Sequence, residues 1–294
     1  MRASRSTGRS SDRRRVNAAH GCRRVSELSG DRIREFYADV LGEGRLGRLE
    51  EFVAPSYAPH VPVFAARTGL DPGIEALRSR LAASGGIAHR LARLIVDGDL
   101  AFAHVLYGDR EVVAGVDVFR LDAAGRICEH WNVRQPLKGS AADCATHFAD
   151  ELPDDADFPF DPTWAKTRVS TMLRELWGKG RAELVPEFYA QSYIQHNRDM
   201  PGGFERIQEV VRHDIRRYIE RTGSGFPIEV HHMAAESDLA CVHLSLFMAG
   251  INRNDGARST NVDIFRLDRQ GRMIEHWDVL QIDGIALSAS ASLF

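Results

Sequence analysis

An internal repeat limits the fold of this 294-residue chain more than any other feature of its sequence. Residues 41–62 align without gaps on residues 177–198, with nine of 22 positions identical. Residues 116–137 align in the same way on residues 262–283, with thirteen of 22 identical. The offset is 136 residues in the first pair and 146 in the second, so the copies differ by short insertions, which loops accommodate at little cost. The repeat therefore predicts two copies of one domain, and the chain length favours the same number.

Composition places the boundaries of these copies. We expect a disordered arginine-rich arm, because the first residues combine many arginines with few apolar side chains. A second polar stretch holds seven acidic residues against one lysine, together with three prolines, and is typical of a linker. The predicted division is an arm over 1–28, a first domain over 29–137, an acidic linker over 138–165, a second domain over 166–285 and a tail over 286–294.

Each copy is predicted to place helices first and strands afterwards. Helical spacing of apolar residues is found over 31–41, 46–53 and 73–83, and most clearly over 204–222 in the second copy. Strand patterns bounded by turn signals follow at 88–96, 100–107, 111–121 and 127–135. Helices followed by a meander of antiparallel strands indicate an α+β fold with the helices packed on one face of the sheet.

Several functional classes lack support in the sequence. The four cysteines form no C-x-x-C pair, so they indicate neither a zinc site nor a disulfide framework, and a reducing cytoplasm fits them best. No apolar run is long enough to cross a membrane, and the basic arm has no aromatic residue to stack on a base. We therefore expect neither a membrane nor a nucleic acid as partner. A nucleophile elbow and a glycine-rich phosphate loop are also missing from the sequence.

Titratable residues retained in both copies are the first candidates for a functional site. They are three histidine pairs and one aspartate pair: His60 and His196, His104 and His243, His130 and His276, and Asp117 and Asp263. A histidine or aspartate at a strand end is more often a hydrogen-bonded structural group than a catalyst. Three histidines with a carboxylate also match a metal site in kind, but their spacing shows no known metal motif, so we expect no metal.

The last predicted strand adds a further carboxylate in the second copy. His276 and Asp278 alternate with Trp277, so the first two share one face of the strand and Trp277 lies on the other. Asp263 reaches the same neighbourhood if the turn before this strand forms a hairpin. Burial would raise the pKa of Asp278 towards the range useful for proton transfer. Trp277 and its counterpart Trp131 also fit a core or an interface.

The motifs together resemble the SnoaL-like polyketide cyclase domains of the NTF2-like superfamily. The similarity covers about 110 residues of each copy and rests on F-Y…G-x-G-R, S-Y-x-x-H, D-L-A-x-x-H and above all V-D-x-F-R-L-D-x-x-G-R-x-x-E-H-W-[DN]-V-x-Q. The resemblance implies a cone-shaped α+β fold, no cofactor and a deep pocket between a curved sheet and the helices. It also implies that an aspartate at the position of Asp278 is the acid/base group. Asp263 stands where those cyclases carry histidine, and Asn132 replaces the aspartate in the first copy.

The resulting hypothesis is a cofactor-independent acid/base enzyme that removes a proton alpha to a carbonyl of a polyketide-like or other small hydrophobic molecule. The second copy is expected to be active, with the first as a degenerate partner in an intramolecular pseudo-dimer. An epoxide hydrolase, a dehydratase and a non-catalytic binding module are the alternatives. The candidate catalytic residues are Asp278, His276, His243, His196 and Asp263. The candidate substrate contacts are Trp277, Tyr193, Phe265, His60, His104, Asp117 and His130.

Overall fold

A computed structural model describes residues 28–60, 73–108, 111–152, 160–199, 202–247 and 258–282. Most of the predicted arm and the whole predicted tail therefore lie outside the described residues. In these ranges, each copy of the repeat folds as helices followed by a five-stranded sheet, and this confirms the predicted α+β class with two tandem domains. None of the helices in the same ranges is both long enough and apolar enough to span a membrane.

The first domain begins with a helix over 28–35 that continues as a π-helix, Phe36–Gly42. A short 3-10 turn, Leu46–Arg48, and a helix, Leu49–Phe52, precede the first strand, and a longer helix, Ile74–Ser84, follows it. The strands are β1 (Val53–Pro59), β2 (His89–Asp97), β3 (Leu100–Tyr107), β4 (Val113–Leu121) and β5 (Ile127–Pro136). They lie in the order β1-β5-β4-β3-β2.

The second domain repeats this arrangement element by element. Its helices are Pro162–Met172 with the π-helix Leu173–Gly178, Val185–Phe188 after the 3-10 turn Ala182–Leu184, and Phe204–Glu209 continued by Val210–Ile215 and Arg216–Thr222. Its strands are β6 (Tyr189–Gln195), β7 (Ile228–Glu236), β8 (Leu239–Phe247), β9 (Arg258–Leu267) and β10 (Met273–Ile282). The strand order is β6-β10-β9-β8-β7.

The first strand of each domain differs from the sequence prediction. The helical pattern over 46–53 ends at Phe52, and β1 then pairs with β5 in parallel, as β6 does with β10. Each sheet is therefore mixed and not purely antiparallel. The burial of β1 alternates imperfectly, because Val53 and Ala54 are both buried, and this obscures the period of two by which a strand is recognised. These strands carry the Tyr and His residues of the S-Y-x-x-H motif to the edge of the last strand.

The two sheets pack against each other through the faces that point away from their own helices. One buried apolar cluster contains side chains of both domains, including Phe102 and Val116 from the first and Cys241 and Trp277 from the second. Burial of such a cluster is the main favourable contribution to domain association. The helix-facing side of each sheet packs into a separate core of its own domain.

Two reciprocal pairs of hydrogen bonds relate the domains by a pseudo-two-fold axis. The Val96 amide donates to Glu236 (2.8 Å), and the Ala235 amide donates to Asp97 (3.1 Å). These donors and acceptors occupy equivalent positions at the repeat offset of 139. In a two-fold contact, residue i of one copy meets residue j of the other and the reverse also holds, which is the pattern seen here.

A second reciprocal pair connects the last strands of the two sheets. The Arg134 amide donates to the Gln281 side chain and the Leu280 amide donates to Gln135, both at 3.0 Å. Gln135 and Gln281 are equivalent at the offset of 146, and both belong to the V-x-Q ending of the closing motif. This ending therefore forms part of the contact between the domains.

Part of the predicted linker is built into the same contact. Residues 138–152 contain a 3-10 turn, Ala145–Phe148, and the Asp150 carboxylate lies 2.8 Å from both Arg93 of the first domain and Arg266 of the second. The next helix begins at Pro162, four residues before the predicted domain boundary, and the Asp161 side chain accepts from the Thr163 amide (2.8 Å) as its N-cap.

Candidate active site

A cavity of about 260 Å³ lies between the sheet and the helices of the second domain. Most of its wall is apolar, and polar side chains gather at the end formed by β9 and β10. The polar side chains of these two strands are Asn261, Asp263, His276 and Asp278, and the other polar residues that line the cavity are Gln195, Asp199 and Arg206. The main apolar side chains are Leu173, Trp177, Phe226, Ile228, Leu244, Leu246, Phe265 and Leu280. A concave apolar pocket with a few converging polar groups is the usual form of a small-molecule site.

The surroundings of Asp278 in this cavity raise the pKa of its carboxyl group. It is 6 % exposed, and it accepts hydrogen bonds from the side-chain amides of Gln195 (3.3 Å) and Asn197. The pKa of Asp278 is raised to about 6, because burial and the nearby charge of Asp263 together outweigh the opposite effects of His276 and the two amides. Asp278 can therefore gain or lose a proton close to neutral pH.

His276 lies between the two carboxylates. Its Nε2 atom is 3.5 Å from Asp263 and 3.8 Å from Asp278, and its ring stacks on Phe265 with centroids 4.4 Å apart. Burial lowers the pKa of His276, but the long contact in which its Nε2–H points at Asp263 and the charges of both carboxylates outweigh it, so the net shift is upward. Among the described residues, Nε2 has no hydrogen-bond partner of good geometry, which leaves it available to a ligand.

Hydrogen bonds at Nδ1 set the tautomer of the neutral His276 ring. The side-chain oxygen of Gln195 accepts from the backbone amide of Asn197 (2.9 Å). The NH₂ group of Gln195 is therefore directed at His276 Nδ1 (2.9 Å). Nδ1 is then the acceptor, and the proton of the neutral ring is on Nε2. The Tyr193 hydroxyl lies 2.8 Å from the same Nδ1 atom and can also donate to it.

Asp263, His276 and Asp278 could by distance hold a metal ion, since one ligand atom from each lies within 4.8 Å of the others. A metal ion would require an unprotonated Nε2 and a proton on Nδ1. That proton would face the NH₂ group of Gln195, which is also a donor. The hydrogen bonds around His276 thus favour a proton-transfer site at these three residues over a metal site.

In the first domain, the aspartate equivalent to Asp263 is Asp117, which forms a buried ion pair with Arg134. Asp117 is fully buried and accepts from Tyr37 (2.5 Å), Tyr107, His130 (3.1 Å) and Arg134. Burial raises the pKa of Asp117, but the charge of Arg134 and the hydrogen bond from His130 outweigh this and hold the pKa well below its usual value. Asp117 is therefore fixed as a carboxylate and does not exchange protons near neutral pH.

Three substitutions between the copies account for this difference. Tyr37, Tyr107 and Arg134 correspond to Leu173, Leu246 and Leu280, which line the cavity of the second domain. A fourth makes room for the guanidinium: a Cβ atom on Gly115 would lie 2.7 Å from Arg134 Nη1. The corresponding residue in the second domain is Asn261.

The structure does not bring all predicted catalytic residues together. Asp278, His276 and Asp263 meet at the cavity, whereas His243 and His196 lie on the opposite side of the sheet because neighbouring strand residues alternate. His243 contacts His232 (Nδ1–Nδ1 3.1 Å) at the junction of the domains. His196 binds Glu275 (3.0 Å) and stacks on Trp277, at a centroid distance of 4.9 Å.

The predicted substrate contacts divide in the same way. Tyr193 and Phe265 lie against His276 at the cavity. Trp277 is fully buried between the domains, where its Nε1 donates to the Ala149 carbonyl (2.8 Å). In the first domain, His130 and Asp117 bind each other in the buried ion-pair network.

The two remaining predicted substrate contacts of the first domain, both histidines, lie outside that network. His104 is held by Arg93 (3.2 Å) and stacks on Phe148, with centroids 4.4 Å apart. His60 binds Glu129 (2.8 Å) and stacks on Trp131, with centroids 4.5 Å apart. Both therefore have structural partners, and neither lies near Asp278.

Sequence reasoning did not identify the amide side chains around Asp278. Gln195 and Asn197 donate to its carboxylate, and Asn261 lines the same polar end with its Oδ1 atom unpartnered among the described residues. Strand alternation was a usable signal for Gln195, because it places this residue on the same face as Tyr193. Asn197 follows the end of the strand, where alternation gives no guidance.

The chain is similar to a known domain family along most of its length. The model of the SnoaL-like domain matches residues 33–130 and again residues 169–276, which together exceed half of the chain. The chain belongs to the SnoaL-like domain family. Both copies of the SnoaL-like domain are thus recognised separately, in agreement with the tandem duplication. No curated protein matches the chain.

Solved structures that resemble this SnoaL-like chain each cover a little over a third of it. TsrD from Streptomyces laurentii is 22 % identical, covers 36 % of this chain and 86 % of its own, and has a TM-score of 0.31. A putative polyketide cyclase from Bacillus cereus is 18 % identical, with coverages of 40 % and 72 % and a TM-score of 0.30. An epoxide hydrolase/cyclase-like enzyme, SalBIII, is 21 % identical, with coverages of 40 % and 92 % and a TM-score of 0.31.

Proposed function

We propose that the second domain is a cofactor-independent acid/base enzyme in which Asp278 removes a proton alpha to a carbonyl group. The observation that carries this proposal is a buried carboxyl with a pKa raised to about 6 at the end of an apolar cavity. A general base is most effective when its pKa is near the operating pH. The carboxylate form is available at neutral pH and is still basic enough to accept a proton from carbon.

His276 would stabilise the enolate that this step forms. Its Nε2–H faces Asp263 and Asp278 at the long distances of 3.5 Å and 3.8 Å, so one substrate carbonyl can receive a closer hydrogen bond from it while the adjacent carbon faces the Asp278 carboxylate. Gln195 and Tyr193 hold the ring from its other nitrogen. The proton stays on Nε2 and the enolate is stabilised by the hydrogen bond alone, because loss of that proton would leave a negatively charged ring 3.5 Å from the Asp263 carboxylate.

The cavity restricts the substrate to small, mainly apolar molecules. Its volume of about 260 Å³ lies just below the roughly 300–1,000 Å³ of sites for drug-sized ligands. Leucine side chains at positions 173, 246 and 280 give this space its apolar character. We therefore favour a small, mainly apolar carbonyl compound as the substrate.

The first domain is proposed to be a degenerate partner that replaces the second subunit of a homodimer. The reciprocal hydrogen bonds across the pseudo-two-fold axis and the shared apolar cluster support this arrangement. Arg134 and its tyrosine neighbours surround the Asp117 carboxylate, so the first domain offers no free base at that position.

Proton exchange into carbonyl compounds tests the proposal. The wild-type protein is incubated in D₂O with a panel of small β-keto and cyclic ketones, and deuterium uptake alpha to the carbonyl is followed by mass spectrometry. Asp278→Asn should lower the exchange rate by roughly 10²–10⁴-fold, the usual contribution of a general base. Asn132→Asp should leave it unchanged, because the first domain is not expected to supply the active base. Exchange that is indifferent to Asp278 would refute the mechanism.

Epoxide hydrolysis is the second candidate. The supporting observation is that Asp278 lies among amide side chains while Asp263 and His276 lie next to it, so one carboxylate could activate water and the other pair could protonate the epoxide oxygen. Incubation of small epoxides in H₂¹⁸O distinguishes the two reactions. Incorporation of ¹⁸O into a diol, without exchange into ketones, would favour the hydrolase, and no turnover in either assay would favour a binding module.

A further inference from the structure

The active site of the second domain includes a side chain from the first. Gln135 lies at the end of β5, on the face packed against the second domain, and it is 6 % exposed. Its oxygen accepts from the Leu280 amide (3.0 Å) and from the side chain of Asn197 (3.3 Å). Its NH₂ group donates to Asn197 Oδ1 (3.4 Å) and to the Asp199 carboxylate (3.1 Å).

The contact between Gln135 and Asn197 is a reciprocal pair of amides, and it determines which way the Asn197 side chain faces. Asn197 Oδ1 also accepts from the Asp199 backbone amide (3.0 Å). With its oxygen held in this way, Asn197 directs its NH₂ group at Asp278. A reversed amide would place an oxygen against the carboxylate, which is repulsive.

We propose that Gln135 of the first domain positions the Asp278 carboxylate of the second, by holding Asn197 in the orientation that donates to it. The role of Asp278 as a base rests on the proposed function, but the positioning does not. The duplicated chain then has a functional reason to remain one molecule, because the degenerate domain supplies part of the hydrogen-bond network around the base.

Other charged and titratable groups also face Asp278. They are His276 on its own strand, Asp263 on β9, Tyr189 and Tyr193 on β6, Asp199 beyond Asn197, His147 from the segment between the domains, and Arg206, which lines the same cavity. Of these groups, Gln135 donates a hydrogen bond to Asp199, and the others keep their contacts when Gln135 is replaced. Asn197→Ala leaves the bond between Gln135 and Asp199 in place, so a pKa shift of Asp278 in both variants would come from the Asn197 hydrogen bond and not from Asp199.

Gln281 supplies a matched control. It is the repeat equivalent of Gln135 and accepts a hydrogen bond of the same length from a backbone amide of the opposite domain, that of Arg134. It lies on the other face of β10 from Asp278, since the two are three residues apart on one strand. Gln135→Met and Gln281→Met thus remove similar contacts between the domains, but only the first reaches Asn197.

The test is a carbon-13 NMR titration of the full chain labelled at aspartate side-chain carboxyls, with the Asp278 signal assigned by its loss in Asp278→Asn. Gln135→Met should raise the pKa of Asp278 by up to about one unit, the scale of one hydrogen bond to a carboxylate. Asn197→Ala should give the upper limit of this shift, and Gln281→Met should give none. Should Gln135→Met not fold, Gln135→Asn keeps an amide that is too short for both contacts and is expected to give the same shift.

The positioning role would be overturned if the pKa of Asp278 were the same in the wild type and the Gln135 variants. It would also be overturned if the Gln135 and Gln281 variants shifted this pKa equally. The readout needs no substrate, so it separates this proposal from the proposed function. If the protein does not catalyse proton exchange but the selective pKa shift is found, Gln135 positions Asp278 and only the proposed reaction is wrong.

Discussion

Replacement of Asp278 by asparagine should stabilise the folded protein at neutral pH. The reason is that burial raises the pKa of this carboxyl from 3.8 to about 6, so ionisation is less favourable in the folded protein than in the unfolded chain. A raised pKa contributes stability that is fully present below the unfolded value and is lost as the pH rises through the folded value. At pH 8 the folded protein therefore carries the full cost of a buried charge, which asparagine removes.

The size of this gain follows from the pKa difference and from the hydrogen bonds at the site. A difference of about two units corresponds to about 3 kcal/mol at about 1.4 kcal/mol per unit. Asp278 accepts from two amides, Gln195 and Asn197, and asparagine has one oxygen to offer them, which costs about 1 kcal/mol. We expect a net gain of about 2 kcal/mol at pH 8, and a small loss near pH 4.

Urea unfolding of the wild type and Asp278→Asn at pH 4, 6 and 8, followed by tryptophan fluorescence, measures this pH dependence. Trp177 lines the cavity and reports on the second domain. The stability difference should change sign between pH 4 and pH 8. A variant that is less stable than wild type by the same amount at every pH would refute the argument that ionisation of Asp278 strains the fold.

Two further variants test the contrast between the domains. Asp117→Asn should destabilise the protein by roughly 3–5 kcal/mol at pH 7 by calorimetry or urea unfolding, because it leaves the guanidinium of Arg134 buried without its partner; an unchanged midpoint would contradict the ion pair. Leu280→Arg combined with Asn261→Gly, which makes the room that Gly115 gives Arg134, should place a guanidinium beside the carboxylates of the second domain, lower the pKa of Asp278 and abolish proton exchange, while circular dichroism stays unchanged. Leu280→Met combined with Asn261→Gly is the control and should retain most of the exchange, since methionine has a volume similar to that of leucine.

The sequence identified the architecture because the relevant signals are local or repeated. The closing motif predicts two antiparallel strands with a turn, and β4, β5, β9 and β10 are found where it places them. Alternation within Glu275–Asp278 predicts His276 and Asp278 on one face and Trp277 on the other, as the cavity and the domain contact have them. Strand β1 was missed because its parallel pairing to β5 is a contact between distant residues, and no local pattern encodes it.

The candidate site was only partly predictable. Retention of His243 and His196 in the repeat gave them the same weight as His276, but retention does not show which face of the sheet a residue occupies relative to a cavity. His196 contacts the segment between the domains, and His243 lines a pocket that residues of the first domain also line. Their retention is consistent with a structural role at the pseudo-two-fold contact.

The amino-acid sequence determined that two related α+β domains would form, and that the second would carry a carboxylate where the first carries Asn132. The tertiary structure decided that Tyr37, Tyr107 and Arg134 converge on Asp117, although up to 97 positions separate them, and that Leu173, Leu246 and Leu280 leave the equivalent space open. The physical reason is that a pKa depends on burial and on neighbouring charges, and folding brings these neighbours together from distant parts of the chain.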